Sequence, residues 1–368
     1  MKFTCDKTSL FREIAFAQEI IATKNALSIM SNVYLEVSQG RLLIRATDVK
    51  VGFETSIPVD DIVPGSLTVF CDKLTGILSS LPDGDITIEQ EEGKAILKSA
   101  ARKVRFQLKT LSAATFPELP RVEDESFFEL PSKEFKRMIV QTLFSVSTDE
   151  TRYFMNGVFL EKNAEGSLVM VSTDGRRLAY IKSDFGSEIP AFKPVIIPTK
   201  VLTLILKRLS DEGQIGVAIG EKSIFFRFNA YRISSVLIEG NFPNYQKVIP
   251  QNQNRHFTVK KSDLMEALRR VSIFVEQKSN RTYFTLSPSS LVLSSEETEI
   301  GAAKEEIPCE YDGEDSTIAL NYRYVEEPLR ALDAEELRVE FTDPARAITL
   351  KPVPEADYFH IVMPMQID

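Results

Sequence analysis

The chain has no tryptophan, two histidines and three cysteines in 368 residues. Without an indole it lacks the largest base-stacking surface, which argues against a platform for unpaired bases. Cys5, Cys71 and Cys309 lie far apart and are odd in number. They build neither a disulfide framework nor a zinc spacing and read as small buried thiols. His256 and His360 fall at strand positions without acidic or cysteine neighbours at ligand spacing, and read as satisfied structural histidines. The longest apolar run, "VLTLIL" at 201–206, is far short of the ~18 residues that span a membrane. The opening "MKFTCDKTSLFRE" lacks the apolar core of a signal peptide, so a cytoplasmic location is expected. No P-loop, GxGxxG or GxSxG is present. Nor is there a helix-turn-helix, zinc finger, RNP aromatic motif or dense basic block. "STDGRR" invites a catalytic aspartate, but Asp174 has a counterpart, Asp48, among different neighbours. A turn role fits both. No catalytic residue, metal ligand or cofactor is therefore expected.

What the chain does have is a pattern written three times. "MKFTCDKTSLFREIAFAQEII", "FFELPSKEFKRMIVQTLFSV" and "RHFTVKKSDLMEALRRVSIFV" each read as strand then helix. "GSLTVFCDKLTGILSSL", "KPVIIPTKVLTLILKRL" and "STIALNYRYVEEPLRAL" repeat the motif halfway through each third. Strands of period-two alternation follow every helix. Thr47-Asp48 recurs at Thr173-Asp174 and, degraded, at Glu296-Glu297; Phe116-Pro117 recurs at Phe242-Pro243. Asp72, Ser132 and Ser262 are the expected helix N-caps. Linkers at "PRVEDESFF" and "PQNQNRH" bound three domains, 1–125, 126–254 and 255–368. Each is expected to hold two helices and about eight mostly antiparallel strands, an α+β layer. By position in the repeat, the apolar ending "YFHIVMPM" is a last strand, with Pro364 tolerated at its end.

The net charge of −9 weighs against indiscriminate coating of nucleic acid. The charge is not even, however. The six predicted helices (8–21, 72–81, 132–146, 199–210, 262–275 and 321–332) carry a net excess of Lys and Arg, so the remainder is more acidic than the whole. Solvated lysines opposite a core face account for this in many proteins. Six such helices on one face would instead meet a polyanion through phosphate contacts that carry no sequence information.

Three tandem α+β units together with "MKFT", "TDGRRLA", "FPNYQKVIP" and the closing "VMPM" resemble the bacterial DNA polymerase III β subunit family, the replicative sliding clamps. The resemblance covers the whole chain. It implies three clamp-type domains per chain and a ring-shaped head-to-tail homodimer threaded by double-stranded DNA. It also implies a non-catalytic processivity role. Clamp loader, DNA polymerases, mismatch-repair proteins and ligase would dock Gln-Leu-x-Leu-Phe-like peptides. By matched position the peptide cleft would be formed by Arg152, Met155, Thr173, Gly175, Arg176, Arg177, Leu178, Pro243, Lys247, Val248, Asn321, Tyr324, Ala347, Ile361, Val362, Met363, Pro364 and Met365. Leu178, Pro243, Val248, Ile361 and Met363 would receive the apolar anchors. Phe106 of one copy would meet Ile273 and Phe274 of the other, with Lys103 and Arg105 facing Glu297, Glu299 and Glu305. Lys24 and Asp149 match DNA-approaching loops, the latter with an unsuitable charge for phosphate. Lys73, Arg137, Lys200, Lys207, Arg208 and Arg270 are DNA-facing by helix position alone. Arg176 stands where some members have histidine, and Ser279 near an aromatic of others; both would reshape the cleft's rim.

Two other readings compete. An enzyme on a repeated scaffold would show a nucleophile, metal cluster or phosphate loop. A module of clamp ancestry that no longer closes would be monomeric.

Overall fold

The computed structural model describes residues 1–21, 28–186 and 189–367. The first repeat runs β1 (Lys2–Asp6), α1 (Lys7–Ile20), β2 (Asn32–Ser38), β3 (Arg41–Thr47), β4 (Val51–Pro58), β5 (Asp60–Val63), β6 (Gly65–Phe70), α2 (Cys71–Ser80), β7 (Asp85–Glu91), β8 (Lys94–Ser99) and β9 (Arg105–Leu111). The second runs β10 (Phe128–Pro131), α3 (Ser132–Val140), β11 (Gly157–Lys162), β12 (Leu168–Thr173), β13 (Arg177–Ser183), β14 (Val195–Pro198), α4 (Thr199–Arg208), β15 (Gln214–Ile219), β16 (Ser223–Phe228) and β17 (Tyr231–Val236). The third runs β18 (Arg255–Lys260), α5 (Lys261–Val271), β19 (Arg281–Ser287), β20 (Ser290–Ser294), β21 (Lys304–Pro308), β22 (Ser316–Asn321), α6 (Tyr322–Ala331), β23 (Glu336–Phe341), β24 (Ile348–Val353) and β25 (Tyr358–Val362). The expected α+β order recurs three times. The addition is β5, whose four residues are all exposed and so give no apolar alternation to read.

Each helix follows its strand without a loop. The first amides of α1, α3 and α5 donate to carbonyls just past the partner helix: Lys7 to Gly84 at 3.1 Å, Ser132 to Gly213 at 3.0 Å and Lys261 to Glu335 at 2.8 Å. That arrangement overturns the predicted caps. The N-cap positions are Phe70, Pro131 and Lys260, none with a side-chain cap bond, while Asp72, Ser132 and Ser262 lie inside the first turn. A strand feeding straight into a helix leaves its own last residue at the cap. Side-chain caps do occur at Asp6, which accepts from the Ser9 amide at 2.7 Å, and at Asn321, which accepts from Arg323 at 3.0 Å. Helix α3 stops at Val140 rather than 146; the Thr142 hydroxyl donates back to the Met138 carbonyl at 2.8 Å, and such side-chain bonds compete with helical ones.

By contacts the chain forms two compact units, Met1–Leu130 with Gln214–Leu237, and Pro131–Gly213 with Ile238–Asp368. In the first unit thirteen strands form one sheet, ordered β10-β15-β16-β17-β4-β3-β2-β6-β9-β8-β7-β1-β5. α1 packs on α2 against it. Phe16 meets Phe53 edge-on at 5.1 Å, with Tyr231 beside both. The Tyr231 hydroxyl donates to the buried Glu13 carboxylate at 3.1 Å. The second unit holds an eight-stranded sheet, β14-β11-β12-β13-β25-β24-β23-β18, and a four-stranded one, β21-β20-β19-β22. There α3 packs on α4 and α5 on α6.

Two joins link one repeat to the next, and they share a form. β4 pairs antiparallel with β17, Gly52 facing Ser234. β13 pairs antiparallel with β25, Leu178 facing Ile361. The end of each repeat's last strand, or the chain just past it, bonds a further strand: Thr110 pairs with Val69 of β6, the Ile238 amide donates to Ile196 at 3.0 Å, and the Met365 amide, past β25, donates to Ala319 of the four-stranded sheet at 2.8 Å. The apolar C-terminal segment is therefore tied to two sheets.

All three cysteines are free thiols, buried as expected. Burial pushes the Cys5 and Cys71 thiols up to about 12 and Cys309 to about 11, which leaves them unreactive. His360 departs from expectation. It is fully buried near Phe144 and the Tyr324 backbone, yet neither ring nitrogen meets a partner at good hydrogen-bond geometry among the described residues. No helix among the described residues is long and apolar enough to cross a membrane.

Candidate functional site

The β12–β13 turn explains why Thr-Asp recurs. The Thr173 hydroxyl donates to the Arg177 carbonyl at 2.6 Å and accepts from the Gly175 amide at 3.1 Å. Asp174 accepts from the amides of Arg176 and Arg177 at 2.9 and 3.1 Å. Gly175 takes φ +88°, and a Cβ there would lie 2.8 Å from an Arg152 nitrogen. Thr47 and Asp48 make the same four bonds around Val49, which takes φ +75° as a β-branched residue. Asp174 is thus a turn residue, as its repetition implies.

Beside this turn, Val169, Val171, Leu178, Tyr245 and Ile361 form a buried apolar bed, flanked by Phe159, Tyr180, Phe242, Ile249, Ala347 and Phe359. Two ring stacks stiffen it, Phe159 on Phe242 at 4.8 Å and Tyr180 on Phe359 at 4.5 Å. Next to bed residues along the chain stand groups that a packed core would have covered. Val248 is 56% exposed and Met363 48%. Pro243, Pro364 and Met365 are half-buried, and Arg152, Arg176 and Lys247 are exposed. Of the residues predicted for a peptide cleft, some belong to or adjoin this buried floor and others are exposed. Leu178, Ile361, Val362, Met155 and Thr173 are buried.

Arg177 and its neighbours do something else. Its guanidinium is 9% exposed, bonds Asp174 at 3.0 Å, Glu327, and the Phe144 carbonyl at 2.6 Å, and lies 4.4 Å over the Tyr324 ring. Each of its three nitrogens bonds protein, so it braces the floor against α6. Asn321 is committed as the α6 cap. Arg152 is held to Asp149 at 3.0 Å, and Asp149 itself caps the following turn through Thr151, which holds its carboxyl below the usual range. Ser279 accepts from the Arg281 amide at 3.3 Å.

Two strand edges carry the predicted interface residues, one in each unit. β9 pairs with β8 along Arg105–Lys109 but with β6 only through Thr110 and Leu111, so its outer edge there has no partner among the described residues. Phe106 is half-buried, and Arg105 binds Glu91 at 3.0 Å. Among the described residues β21 pairs only with β20. Near it Ile273 is 72% exposed, and the half-buried Phe274 ring lies 3.1 Å from a Cβ built on Gly301. Ile300, exposed on the same loop, escaped sequence reasoning; an isoleucine within the acidic "EETEIG" was its only signal. Glu305 is already engaged by Arg270 at 2.6 Å.

That ion pair bears on the DNA-facing residues. Arg270 binds Glu266 and Glu305, and Arg137 binds Glu134, so neither presents an unopposed charge. Lys73 and Lys207 are exposed, and Lys200 and Arg208 half-buried. Lys24 lies outside the described residues. Among the described residues no group of three His, Cys, Asp or Glu side chains is placed to hold a metal.

Comparison with known proteins gives a consistent answer. The N-terminal, central and C-terminal domains of the DNA polymerase III beta subunit match residues 1–120, 129–244 and 246–366. The beta sliding clamp of Treponema pallidum is 47% identical over 372 residues, all of both chains. That of Escherichia coli K12 is 30% identical over 369 residues, again all of both. A crystal structure of a Pseudomonas aeruginosa DnaN sliding clamp bound to griselimycin superposes with a TM-score of 0.92 at 29% identity, covering both chains completely.

Proposed function

Because the chain belongs to the DNA polymerase III beta subunit family, we propose that it closes head-to-tail with a second copy around duplex DNA and tethers its partners there. It is a sliding clamp of three tandem clamp domains, with the processivity function of that family. The domains are taken as 1–125, 126–254 and 255–368. The clamp acts in the cytoplasm and catalyses nothing; it raises polymerase output by holding effective concentration high.

The repeat supports the ring. Within the chain, the β4-type strand of one repeat pairs with the last strand of the next, as β4 with β17 and β13 with β25. One strand of each type is left over, β21 and the outer edge of β9. Pairing them between two copies is heterologous and closes, and it covers both open edges. Lys103 and Arg105 on one side would face Glu297, Glu299 and Glu305 on the other, Arg105 and Glu305 each exchanging an ion pair made within the chain. Phe106 would meet Ile273, Phe274 and Ile300. DNA is held by topology, so weak contacts from Lys24, Lys73, Arg137, Lys200, Lys207, Arg208 and Arg270 suffice.

The exposed pair Val248 and Met363 over a stacked apolar floor carries the docking reading. Clamp loader, polymerases, mismatch-repair proteins and ligase would insert Gln-Leu-x-Leu-Phe-like segments. Methionine adapts to several such peptides. Two buried anchors at about 1.5–3 kcal/mol each, plus a few hydrogen bonds, give roughly micromolar affinity. The test is fluorescence polarisation of a labelled Gln-Leu-x-Leu-Phe peptide against the intact chain and one lacking residues 363–368. Micromolar binding that disappears with the tail, at unchanged circular dichroism, is expected. Equal binding by both proteins would remove the cleft from this site.

A further inference from the structure

The segment 242–249 carries Pro243, Lys247 and Val248, three of the residues predicted for the cleft, yet little holds it. Within it only Tyr245 is buried. The Tyr245 hydroxyl donates to the Glu161 carboxylate of β11 at 2.5 Å, and among the described residues no other side-chain hydrogen bond ties this segment to the sheet. Phe242 adds a ring stack on Phe159 at 4.8 Å. The Tyr245 ring lies 6.2 Å from Phe159 and 6.0 Å from Tyr180, and it belongs to the apolar floor. Val248 closes the one-turn 3-10 helix that Tyr245 opens, and residues three apart in such a helix stand in line. The seat of the Tyr245 ring therefore sets where Val248 stands.

The first repeat supplies a control within the chain. Tyr34 pairs with Arg45 as Phe159 pairs with Val171, each partner standing two residues before the Thr of its Thr-Asp turn. Glu36 therefore stands where Glu161 stands, and Phe116 and Leu119 where Phe242 and Tyr245 stand. The ring contact recurs, Tyr34 to Phe116 at 5.3 Å. The bond to the connecting segment does not: Leu119 has no hydroxyl, and Glu36 accepts instead from Tyr34 of its own strand at 2.8 Å. The ring contact is common to both repeats and answers to the fold. The hydroxyl–carboxylate bond is confined to the repeat that carries the predicted cleft residues. Burial, and next the Glu161 carboxylate, push the Tyr245 phenol above its ordinary range, so its proton stays in place to be donated.

We propose that Glu161 is a positioning residue for partner docking: through the Tyr245 hydroxyl it fixes the segment that presents Lys247 and Val248, and so sets the affinity for peptides. The proposal rests on reading the β13–β25 junction as a peptide cleft. Glu161 acts through Tyr245 and not by touching the peptide.

Fluorescein-labelled Gln-Leu-Ser-Leu-Phe is titrated by fluorescence polarisation against the full chain and its variants Glu161→Leu, Glu161→Gln, Tyr245→Phe, Glu36→Leu and the double variant Glu161→Leu with Tyr245→Phe. Loss of one hydrogen bond to a charged group corresponds to about tenfold in affinity. Glu161→Leu and Tyr245→Phe should each weaken binding by that much, and the double variant no more than either, because both remove the same bond. Glu161→Gln, whose amide oxygen still accepts, should recover most of the affinity, and Glu36→Leu should leave it unchanged. Methyl spectra without peptide read the positioning itself: Glu161→Leu should move Val248 while Leu35 of β2 and Leu329 of α6 keep their shifts. Affinity of Glu161→Leu within about twofold of the parent, failure of Glu161→Gln to restore it, an additive double variant, or unmoved Val248 methyls would each overturn the proposal. A parent chain that does not bind the peptide would overturn the cleft reading, and the docking role with it, while the Val248 methyls would still decide whether Glu161 positions the segment.

Discussion

Replacing Arg177 by alanine should loosen the floor beneath the proposed cleft while leaving the rest of the chain folded. The guanidinium joins three segments: Asp174 on the turn, the Phe144 carbonyl, and Glu327 with Tyr324 on α6. It is 9% exposed, Asp174 17% and Glu327 34%. Breaking a fully buried pair costs about 3–5 kcal/mol because the remaining charge is stranded. Partial exposure of Glu327 lowers that, and loss of the ring contact adds back about 1 kcal/mol. A local cost of about 2–4 kcal/mol follows, or roughly 30- to 700-fold faster opening. A chain of several domains does not unfold in two states, so a single melting temperature would blur the effect. Native-state hydrogen exchange reads it directly. Amides of Arg177–Ile181 and Val325–Leu329 should lose that much protection, while β2, β3 and β8 in the first unit keep theirs. Arg177→Lys, which keeps charge but not the fork, should recover only part of it. Exchange within about threefold of the parent at both segments would refute the claim that Arg177 braces the floor.

Three further outcomes follow from single side chains. Burial, and next the nearby Arg177 charge, lower the His360 pKa to about 3; the ring is neutral in the fold and protonatable at ordinary pH when unfolded. Its contribution is whole above about pH 6.5 and falls as pH drops toward 3, so local protection of β25 should decline by about 2 kcal/mol between pH 7 and 5. His360→Leu should flatten that slope in hydrogen exchange corrected for intrinsic rates; an unchanged slope would exclude His360 as its source. At the paired turns, Gly175→Ala should destabilise its turn by about 1 kcal/mol, and Val49→Gly should relieve left-handed strain of about 1–2 kcal/mol less the entropy glycine loses. Differential denaturation of the two variants should therefore shift in opposite directions, and shifts of one sign would contradict this. Phe106→Glu or Ile273→Glu should convert a dimer into a monomer in sedimentation velocity, and a persistent dimer would move the interface elsewhere.

The repeat was readable because its signal is redundant: three strand–helix starts at matching positions, and a Thr-Asp turn whose four bonds recur. The caps were not readable. Whether Ser132 or Pro131 holds the cap depends on a strand meeting a helix without a loop and on the Gly213 carbonyl, distant in sequence. Strand β5 left no alternation, and the bed under Val248 and Met363 is assembled from β12, β13, β25 and the 242–249 segment. Nor could the sequence separate the buried brace Arg177 from the exposed Arg176 beside it, since only the position of Glu327 and Tyr324 distinguishes them. Helix position likewise could not show that Arg137 and Arg270 are paired with neighbouring carboxylates.

The most direct test of the ring is retention on DNA with and without ends. The clamp is placed on a nicked circular plasmid by a clamp loader and passed through a sizing column at roughly 0.5 M salt, where exposed charges are screened within a few ångströms. Half the sample is first cut once with a restriction enzyme. Topological holding predicts that the clamp stays with the circle at this salt and leaves the linear DNA. Equal retention on both forms, or loss from the circle as salt rises, would mean that charge rather than closure holds it, and would contradict the sliding-clamp account.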